Sequence, residues 1–418
     1  MLRFCSTVWG HARNMKSLIM ASVAVGAVAA PIVLAVSGPN SVAVTVFDFG
    51  FNPTNIRVKV GGSVTWNYSS GASEHEIAAN DGTFTGGILV PGQMYTASAF
   101  TMARNYLYHC AIHSFMTGTV IAVGSSPHDA NNDDRSDILW REEGGAAAIW
   151  LMNGANVLQA AEIGAAPTTW NIVGQRDFDG DGKYDLLWRD ASGNTALWFM
   201  NGGQVKSTAS LGNIPTNWAV VGTGDFDGDG FADILWRDNN GNIAIWLLNN
   251  GQVGTAGGLG SVPSAFTVAG VGDFDGDGRS DILWRDSSGN TAIWLINGTH
   301  VNSSAGIGNV PTNWTVAGTG DFNGDGMADI VWHDIAGDTA IWLMTGASVL
   351  SSGGLGTVPT IWTVAQTGDY DGDGNSDLLW RDTSGNTAMW FMNGIAVAST
   401  GTVGNIPTNW TVQSVNAE

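Results

Sequence analysis

The sequence predicts an all-β protein in two folded parts, a short sandwich of strands followed by a ring of repeated four-stranded sheets. Three observations predict it. An acidic run, Asp225-Phe-Asp-Gly-Asp-Gly230, recurs with its first Asp at Asp177, Asp225, Asp273, Asp321 and Asp369, a constant period of 48 residues. A fixed period of this size marks an array of one supersecondary unit. Glycine (58) and tryptophan (19) are abundant while charged residues make up only 13%, which suits turn-rich sheets better than helices. Ahead of the array, residues 41–124 alternate apolar and polar side chains in short runs broken by turn residues, the pattern of half-buried strands.

The chain of 418 residues has a formal net charge of −21. Such a surface repels a phosphate backbone, so nucleic acid is not an expected partner. Much of the acid lies in the repeated runs, and five bound divalent cations would bring −21 to −11. Residues 1–40 read as a leader: Arg3, Arg13 and Lys16 precede the uncharged stretch Ser17–Ser37, the layout of a secretory signal. Met15 is a candidate true start. Residues 1–37 are expected to be a signal peptide, with an uncleaved anchor as the alternative because the apolar run approaches spanning length. The expected location is periplasmic or secreted. Cys5 lies in the leader and Cys110 is the one other cysteine, so no internal disulfide is expected and Cys110 needs another reason to be there.

Within residues 41–124, Val42–Val46, Ile56–Val60, Val64–Trp66 and Thr117–Val123 read as strands of a small sandwich. Cys110, His113 and Met116 share one short loop, and His75 follows the Trp66 strand. Two imidazoles, a thiolate and a thioether are the soft donor set of a blue-copper centre. The stretch resembles the cupredoxins, and among them the amicyanin/pseudoazurin-like group. The resemblance is carried by Phe51-Asn-Pro53, Val58-Lys-Val-Gly61, Val64-Thr-Trp66, His75 and Tyr108-His-Cys-Ala-Ile-His-Ser-Phe-Met116. It implies copper ligation by His75, Cys110, His113 and Met116, and a redox partner docking near His113, between Ile112 and Phe115. One departure stands out: Glu76 follows the first ligand histidine, where the family has Asn, Ser or Thr. His109 alternates away from Cys110 along its strand and reads as structural. The remaining histidines, His11, His128, His300 and His333, are scattered. They cannot build a trinuclear or second copper centre, so one-electron transfer is expected and enzymatic chemistry is not.

Residues 128–418 hold the array. One unit runs from the acidic loop into Asp233–Asp238, turns at Asn239–Asn242, continues as Ile243–Leu248, a weaker strand near Gln252–Gly258, and Phe266–Ala269. Four short antiparallel strands per unit make one propeller blade. The motif of the last strand occurs at Trp170, Trp218, Phe266, Trp314, Trp362 and Trp410, and the first acidic loop at Asp129 has no such strand before it. Pairing the two ends hides both edges and closes a six-bladed β-propeller. The repeats resemble the FG-GAP/VCBS type, in which the loop binds calcium. The matching side chains are Asp177, Asp179, Asp181 and Asp185; Asp225, Asp227, Asp229 and Asp233; Asp273, Asp275, Asp277 and Asp281; Asp321, Asn323, Asp325 and Asp329; and Asp369, Asp371, Asp373 and Asp377. About five calcium sites are expected. An EF-hand is excluded because no Glu falls at the twelfth position and strands flank the loop. In the Asp129 copy, Asp134 stands where the turn wants glycine, which leaves that site open.

Trp188, Trp236, Trp284 and Trp380 recur at one blade position and Trp198, Trp246, Trp294, Trp342 and Trp390 at another. Packing between blades is the expectation; stacking on a carbohydrate or cell surface is the alternative. The functional expectation is an exported type 1 copper protein acting in electron transfer, with a calcium-binding propeller as scaffold or docking surface. A copper carrier without a redox partner, or an adhesion propeller with an accessory copper module, are the rival readings.

Overall fold

The computed structural model describes residues 41–98, 100, 104–123 and 128–414. The leader and the linker at residues 124–127, both read from the sequence, lie outside the described residues. All the regular structure described is strand.

The N-terminal part is a sandwich of nine strands: β1 (Ser41–Phe47), β2 (Gly50–Asn52), β3 (Asn55–Lys59), β4 (Ser63–Tyr68), β5 (His75–Ala79), β6 (Thr85–Leu89), β7 (Gln93–Ala97), β8 (Arg104–Cys110) and β9 (Thr117–Val123). One sheet has the order β2-β1-β4-β7 and the other β3-β9-β8-β5-β6. The period-2 alternation decides what faces inward. In β4, Val64, Trp66 and Tyr68 are buried between half-buried Ser63, Thr65 and Asn67. In β8, Tyr106, Tyr108 and Cys110 are buried, which leaves Leu107 and His109 on the outer face. The two inner faces meet in one apolar cluster that includes Val44, Val58, Trp66, Ile77, Tyr108 and Val120.

The remainder is a six-bladed propeller. Five sheets each take their four strands in chain order, from Trp170–Arg176 at the axis to Val205–Asn213 at the rim in the second blade. The first blade is different. Ile138–Glu142, Ala146–Asn153 and Asn156–Ala165 are joined by Trp410–Val412 from the far end of the chain, in the antiparallel register Trp140↔Val412, Arg141↔Thr411 and Glu142↔Trp410. The ring is therefore closed by the pairing anticipated from the sequence, which gives the first blade the innermost strand it otherwise lacks.

Every joint between blades repeats the same contacts. The first loop carbonyl accepts from the next blade: Tyr184 N to Asp129 O (2.9 Å), Ala232 N to Asp177 O (2.8 Å), Ser280 N to Asp225 O, Ala328 N to Asp273 O and Ser376 N to Asp321 O (2.6 Å each), and Ser136 N to Asp369 O (2.7 Å). The last of these joins the sixth blade to the first. An arginine stacks across five of the six joints: Arg141 on Trp188, Arg189 on Trp236, Arg237 on Trp284, Arg285 on Trp332 and Arg381 on Trp140, at 4.7–5.7 Å from the ring centre. Such a contact contributes about 0.5–2 kcal/mol depending on desolvation. At the fifth joint His333 takes the place of arginine and meets Trp380 edge-on at 5.4 Å. The innermost strands approach so closely that a Cβ on Gly222 would lie 2.7 Å from Val271. At the closing joint the equivalent position is Gln366, whose Nε2 donates to Asp137 O at 3.1 Å.

The tryptophans belong to these joints. Trp140, Trp188, Trp236, Trp284, Trp332 and Trp380 are at most 2% exposed, and each packs on the second tryptophan of its own blade, as Trp188 does on Trp198 at 4.7 Å. Trp140, Trp150 and Trp332 complete sets that the sequence motif left short. A buried ring offers no face to a sugar, so packing is the role of the first set.

Deleting Asn409–Glu418 removes Trp410–Val412 and bares the edge at Ile138–Glu142. We expect the propeller to melt at a lower temperature and to self-associate through that edge. Scanning calorimetry and sedimentation velocity check this; a truncated chain that melts like the intact one refutes the closure.

Candidate metal centres

The sandwich gathers its donors at one end of β5 and β8. β5 begins at His75, β8 ends at Cys110, and the pairing Ile77↔Cys110 sets them side by side. The turn after β8 is tight: Met116 N donates to His113 O (2.9 Å) and Cys110 N to Met116 O (3.0 Å). His75 Nδ1 lies 3.6 Å and His113 Nδ1 3.7 Å from Cys110 Sγ. His75 and Cys110 are fully buried, Met116 is 2% exposed and His113 half-buried.

The donor set fits a metal ion. Bonds of about 2.3 Å to sulfur and 2.0 Å to nitrogen, spread trigonally, would separate sulfur from nitrogen by about 3.7 Å. Burial, with the His113 ring beside it, lowers the pKa of His75; this favours the neutral ring that a metal needs. Two imidazoles and one thiolate, with a thioether in the same loop, select a soft ion of low coordination.

Asp48 is a participant that sequence reasoning missed. Its Oδ1 lies 3.9 Å from His75 Nε2, behind the ring. The carboxylate is held in place by the Tyr68 hydroxyl (2.7 Å) and the amides of Ala72 (2.9 Å) and Ser73 (3.1 Å). The Tyr68 bond, ahead of the two amides, holds Asp48 below the usual carboxylate range. At 3.9 Å the carboxylate makes no hydrogen bond to the ring, but its negative charge acts to raise the His75 pKa against the larger effect of burial. Glu76, the departure noted in the sequence, holds the ligand loop with its backbone: its N–H donates to Cys110 Sγ (3.5 Å) and its carbonyl accepts from Ala111 N (2.8 Å). Its side chain turns away to accept from Thr85 Oγ1 at 3.3 Å. His109, as expected, faces outward, with its Nδ1 2.7 Å from Asn80 Oδ1.

The propeller carries the second class of site. In the Asp177 loop, Asp177 accepts from Gly180 N (2.7 Å) and Gly182 N (2.7 Å). Asp185, fully buried, accepts from Phe178 N (2.9 Å) and Met200 N (2.8 Å). These bonds fold the loop, and they leave carboxylate lone pairs turned inward. Carboxylates converge within 4.8 Å of one another in four loops: Asp177, Asp179 and Asp185; Asp225, Asp227 and Asp229; Asp273, Asp275 and Asp281; Asp369, Asp371 and Asp377. Asp181, Asp233, Asp277 and Asp373 flank those sets. The Asp321 loop, with Asn323, Asp325 and Asp329, is absent from this group.

Burial, reinforced by neighbouring carboxylates, pushes these acids up: Asp177 to about 6, Asp225 and Asp369 to about 7, and Asp185, Asp233 and Asp273 to about 8. A carboxyl that titrates higher in the folded chain than in the unfolded one binds its proton more tightly when folded. The stability it contributes is fully present below about pH 4 and is lost as pH rises through the folded values, 6 to 8. We therefore expect the chelated propeller to melt higher at pH 5 than at pH 8, and calcium to reverse the loss at pH 8 by mass action. A domain of this size gains about 2–4 °C per kcal/mol. Melting curves with calcium and with chelator at both pH values check this, and curves indifferent to both refute it.

Four overlapping stretches, residues 177–236, 225–284, 273–332 and 321–380, match the FG-GAP-like repeat. Each runs from the first Asp of one acidic loop to the buried tryptophan of the next blade. No curated protein matches the chain. Among solved structures, a reduced amicyanin variant is 30% identical over 20% of this chain and 81% of its own, with a TM-score of 0.18. A reduced Cu(I) form of another amicyanin variant at pH 4 is 28% identical over 22% of this chain and 91% of its own, with a TM-score of 0.19. The chain joins a cupredoxin-like β-sandwich to a β-propeller of FG-GAP-like repeats.

Proposed function

We infer that the sandwich binds one copper ion and passes electrons singly, and that calcium in the acidic loops stabilises the propeller that carries it. The observation that supports copper most directly is the pair of Nδ1 atoms at 3.6 and 3.7 Å from one buried sulfur. His75, Cys110 and His113 would hold the ion, with Met116 as the weak fourth donor. When bound, the ion supplies a reversible one-electron couple. The chain's own residues keep that couple shielded: Tyr68 packs edge-on against the His75 ring at 4.8 Å and Met116 is buried in the same turn as Cys110, which excludes water. The Glu76 backbone ties the Cys110 turn through its N–H and its carbonyl, so little there has to rearrange between charge states.

His113 is the half-buried ligand and thus the route to the surface. Ile112 (45%) and Phe115 (65%) beside it are exposed, a small apolar patch of the kind that suits a brief redox encounter. The propeller leaves this end free. Asn105, which touches the propeller, and Cys110 stand at opposite ends of β8, about 17 Å apart along an extended strand. The reading is of electron transfer rather than catalysis, in a protein whose leader directs it out of the cytoplasm.

Copper-loaded protein should be intensely coloured through thiolate-to-metal charge transfer, and Cys110→Ser should lose the colour with the fold intact by circular dichroism. A colourless copper-loaded chain overturns the reading. Ile112→Lys should leave the spectrum unchanged and slow electron exchange with a redox partner, as stopped-flow reduction would register. An unchanged rate moves docking to another face.

A further inference from the structure

We propose that Asp48 sets the reduction potential of the metal centre in the sandwich: its carboxylate, fixed behind the His75 ring, favours the oxidised state of the bound ion. This rests on the copper reading above and adds to it a residue that no ligand spacing marks.

The geometry begins with an orphaned atom. His75 is fully buried, its Nδ1 faces the Cys110 sulfur, and Nε2 lies on the other side of the ring. That Nε2 has no hydrogen-bond partner among the described residues. The group facing it is Asp48 Oδ1 at 3.9 Å, and among the described residues no other carboxylate oxygen comes as near to a nitrogen of His75 or His113. The gap is too wide for a hydrogen bond, so the influence is that of charge through space. Glu76, the acid next to His75 in sequence, is spent elsewhere, on Thr85 Oγ1 at 3.3 Å.

Asp48 is held where it stands. With Phe49 it forms the two-residue turn between β1 and β2, closed by the pairing Phe47↔Gly50. Its carboxylate accepts from the Tyr68 hydroxyl (2.7 Å) and from the amides of Ala72 (2.9 and 3.1 Å) and Ser73 (3.1 Å). Both amides belong to the loop that leads from β4 to His75, so the acid grips the segment that delivers the ligand. Tyr68 is fully buried and its ring stands edge-on to His75 at 4.8 Å; one side chain thus packs the ligand and holds the acid. Gly71 completes the cradle, since a Cβ there would collide with both the Tyr68 hydroxyl and Asp48 Oδ1. Three donors on one carboxyl group favour its ionised form.

Electrostatics gives the sign. The oxidised centre carries one more positive charge than the reduced one, and a fixed negative charge nearby stabilises the more positive state. Asp48 therefore lowers the potential. Its side chain is 26% exposed, so water screens part of the field. The effect is then about tenfold in the ratio of reduced to oxidised protein at a fixed poise, which is about 59 mV for one electron.

Redox titration of the full chain loaded with copper tests this, with ferrocyanide as the reductant and the thiolate charge-transfer colour as the readout. One electron passes from ferrocyanide to Cu(II), giving ferricyanide and Cu(I), and no bond to Asp48 forms or breaks. Asp48→Asn keeps an oxygen that can accept from the two amides and removes the charge. At equal poise its ratio of reduced to oxidised protein should be about tenfold higher than that of the parent chain. Tyr68→Phe loosens the carboxylate but keeps its charge, and its ratio should stay close to the parent's. A ratio that is unchanged or lower in Asp48→Asn overturns the proposal. An equal rise in both variants also overturns it, because Asp48 is then a structural pin alone. If Asp48→Asn takes up no copper, Asp48→Ser replaces it, with the same expected rise and the same overturning result. A parent chain that binds copper without colour refutes the copper reading and this proposal together; a coloured parent whose potential Asp48→Asn leaves unmoved refutes this proposal alone.

Discussion

The acidic loop is the constraint on which this propeller depends. Its side chains fold it inward: the last Asp of each copy, of which Asp185, Asp233, Asp329 and Asp377 are fully buried, accepts backbone N–H groups from the loop's own start and from the third strand of its blade. Its main chain faces outward. The carbonyls of its first two residues both accept from the next blade, Gly251 N on Phe178 O at 2.8 Å beside Ala232 N on Asp177 O. One loop therefore sets both the shape of a blade and the angle to its neighbour. Burying carboxylates at that hinge is costly unless they are hydrogen-bonded and neutralised, which couples the integrity of the ring to protons or cations.

Around this hub the ring is tied by contacts that need two blades each. The arginine that stacks on the next tryptophan also donates to carbonyls beyond it, as Arg189 Nη2 does to Ile214 O (3.0 Å), Pro215 O (3.1 Å) and Trp218 O (2.9 Å). Arginine's planar fork can stack and donate at once; the imidazole of His333 cannot reach as far. The fifth joint keeps the loop contacts and adds a bond from Thr367 Oγ1 to Thr319 O (2.8 Å). Closure by Trp410–Val412 gives the first blade the fourth strand that each of the other five takes from its own stretch of chain.

The sandwich obeys a different economy. Its core is built from alternating residues of two sheets, and its candidate ligands lie at the end of β8 opposite Asn105, which touches the propeller. The acidic face of the propeller receives the opposite end. This arrangement keeps His113 accessible while Lys59 and Arg57 face the carboxylates. Lys59 and Arg57 meet the acidic loops at Asp134 and Asp321, while Ile112 and Phe115 lie exposed beside the turn after β8.

Much of this was legible in the sequence. A metal ligand or a tight acidic turn demands particular residue types at fixed short spacings, so His75, Cys110, His113 and Met116, and the loops at Asp177, Asp225, Asp273 and Asp369, announce themselves locally. The 48-residue period and the spare strand at Trp410 determined a closed six-bladed ring, because a sheet edge must find a partner. Trp140 and Trp332 were overlooked because Glu142 and His333 alter the motif around them. Only the tertiary structure brought Asp48 behind His75, and only it placed Lys59 on Asp134, 75 residues away, and Arg57 on Asp321. An ion pair between a generic base and a generic acid leaves no spacing to read; it exists because two independently folded surfaces meet.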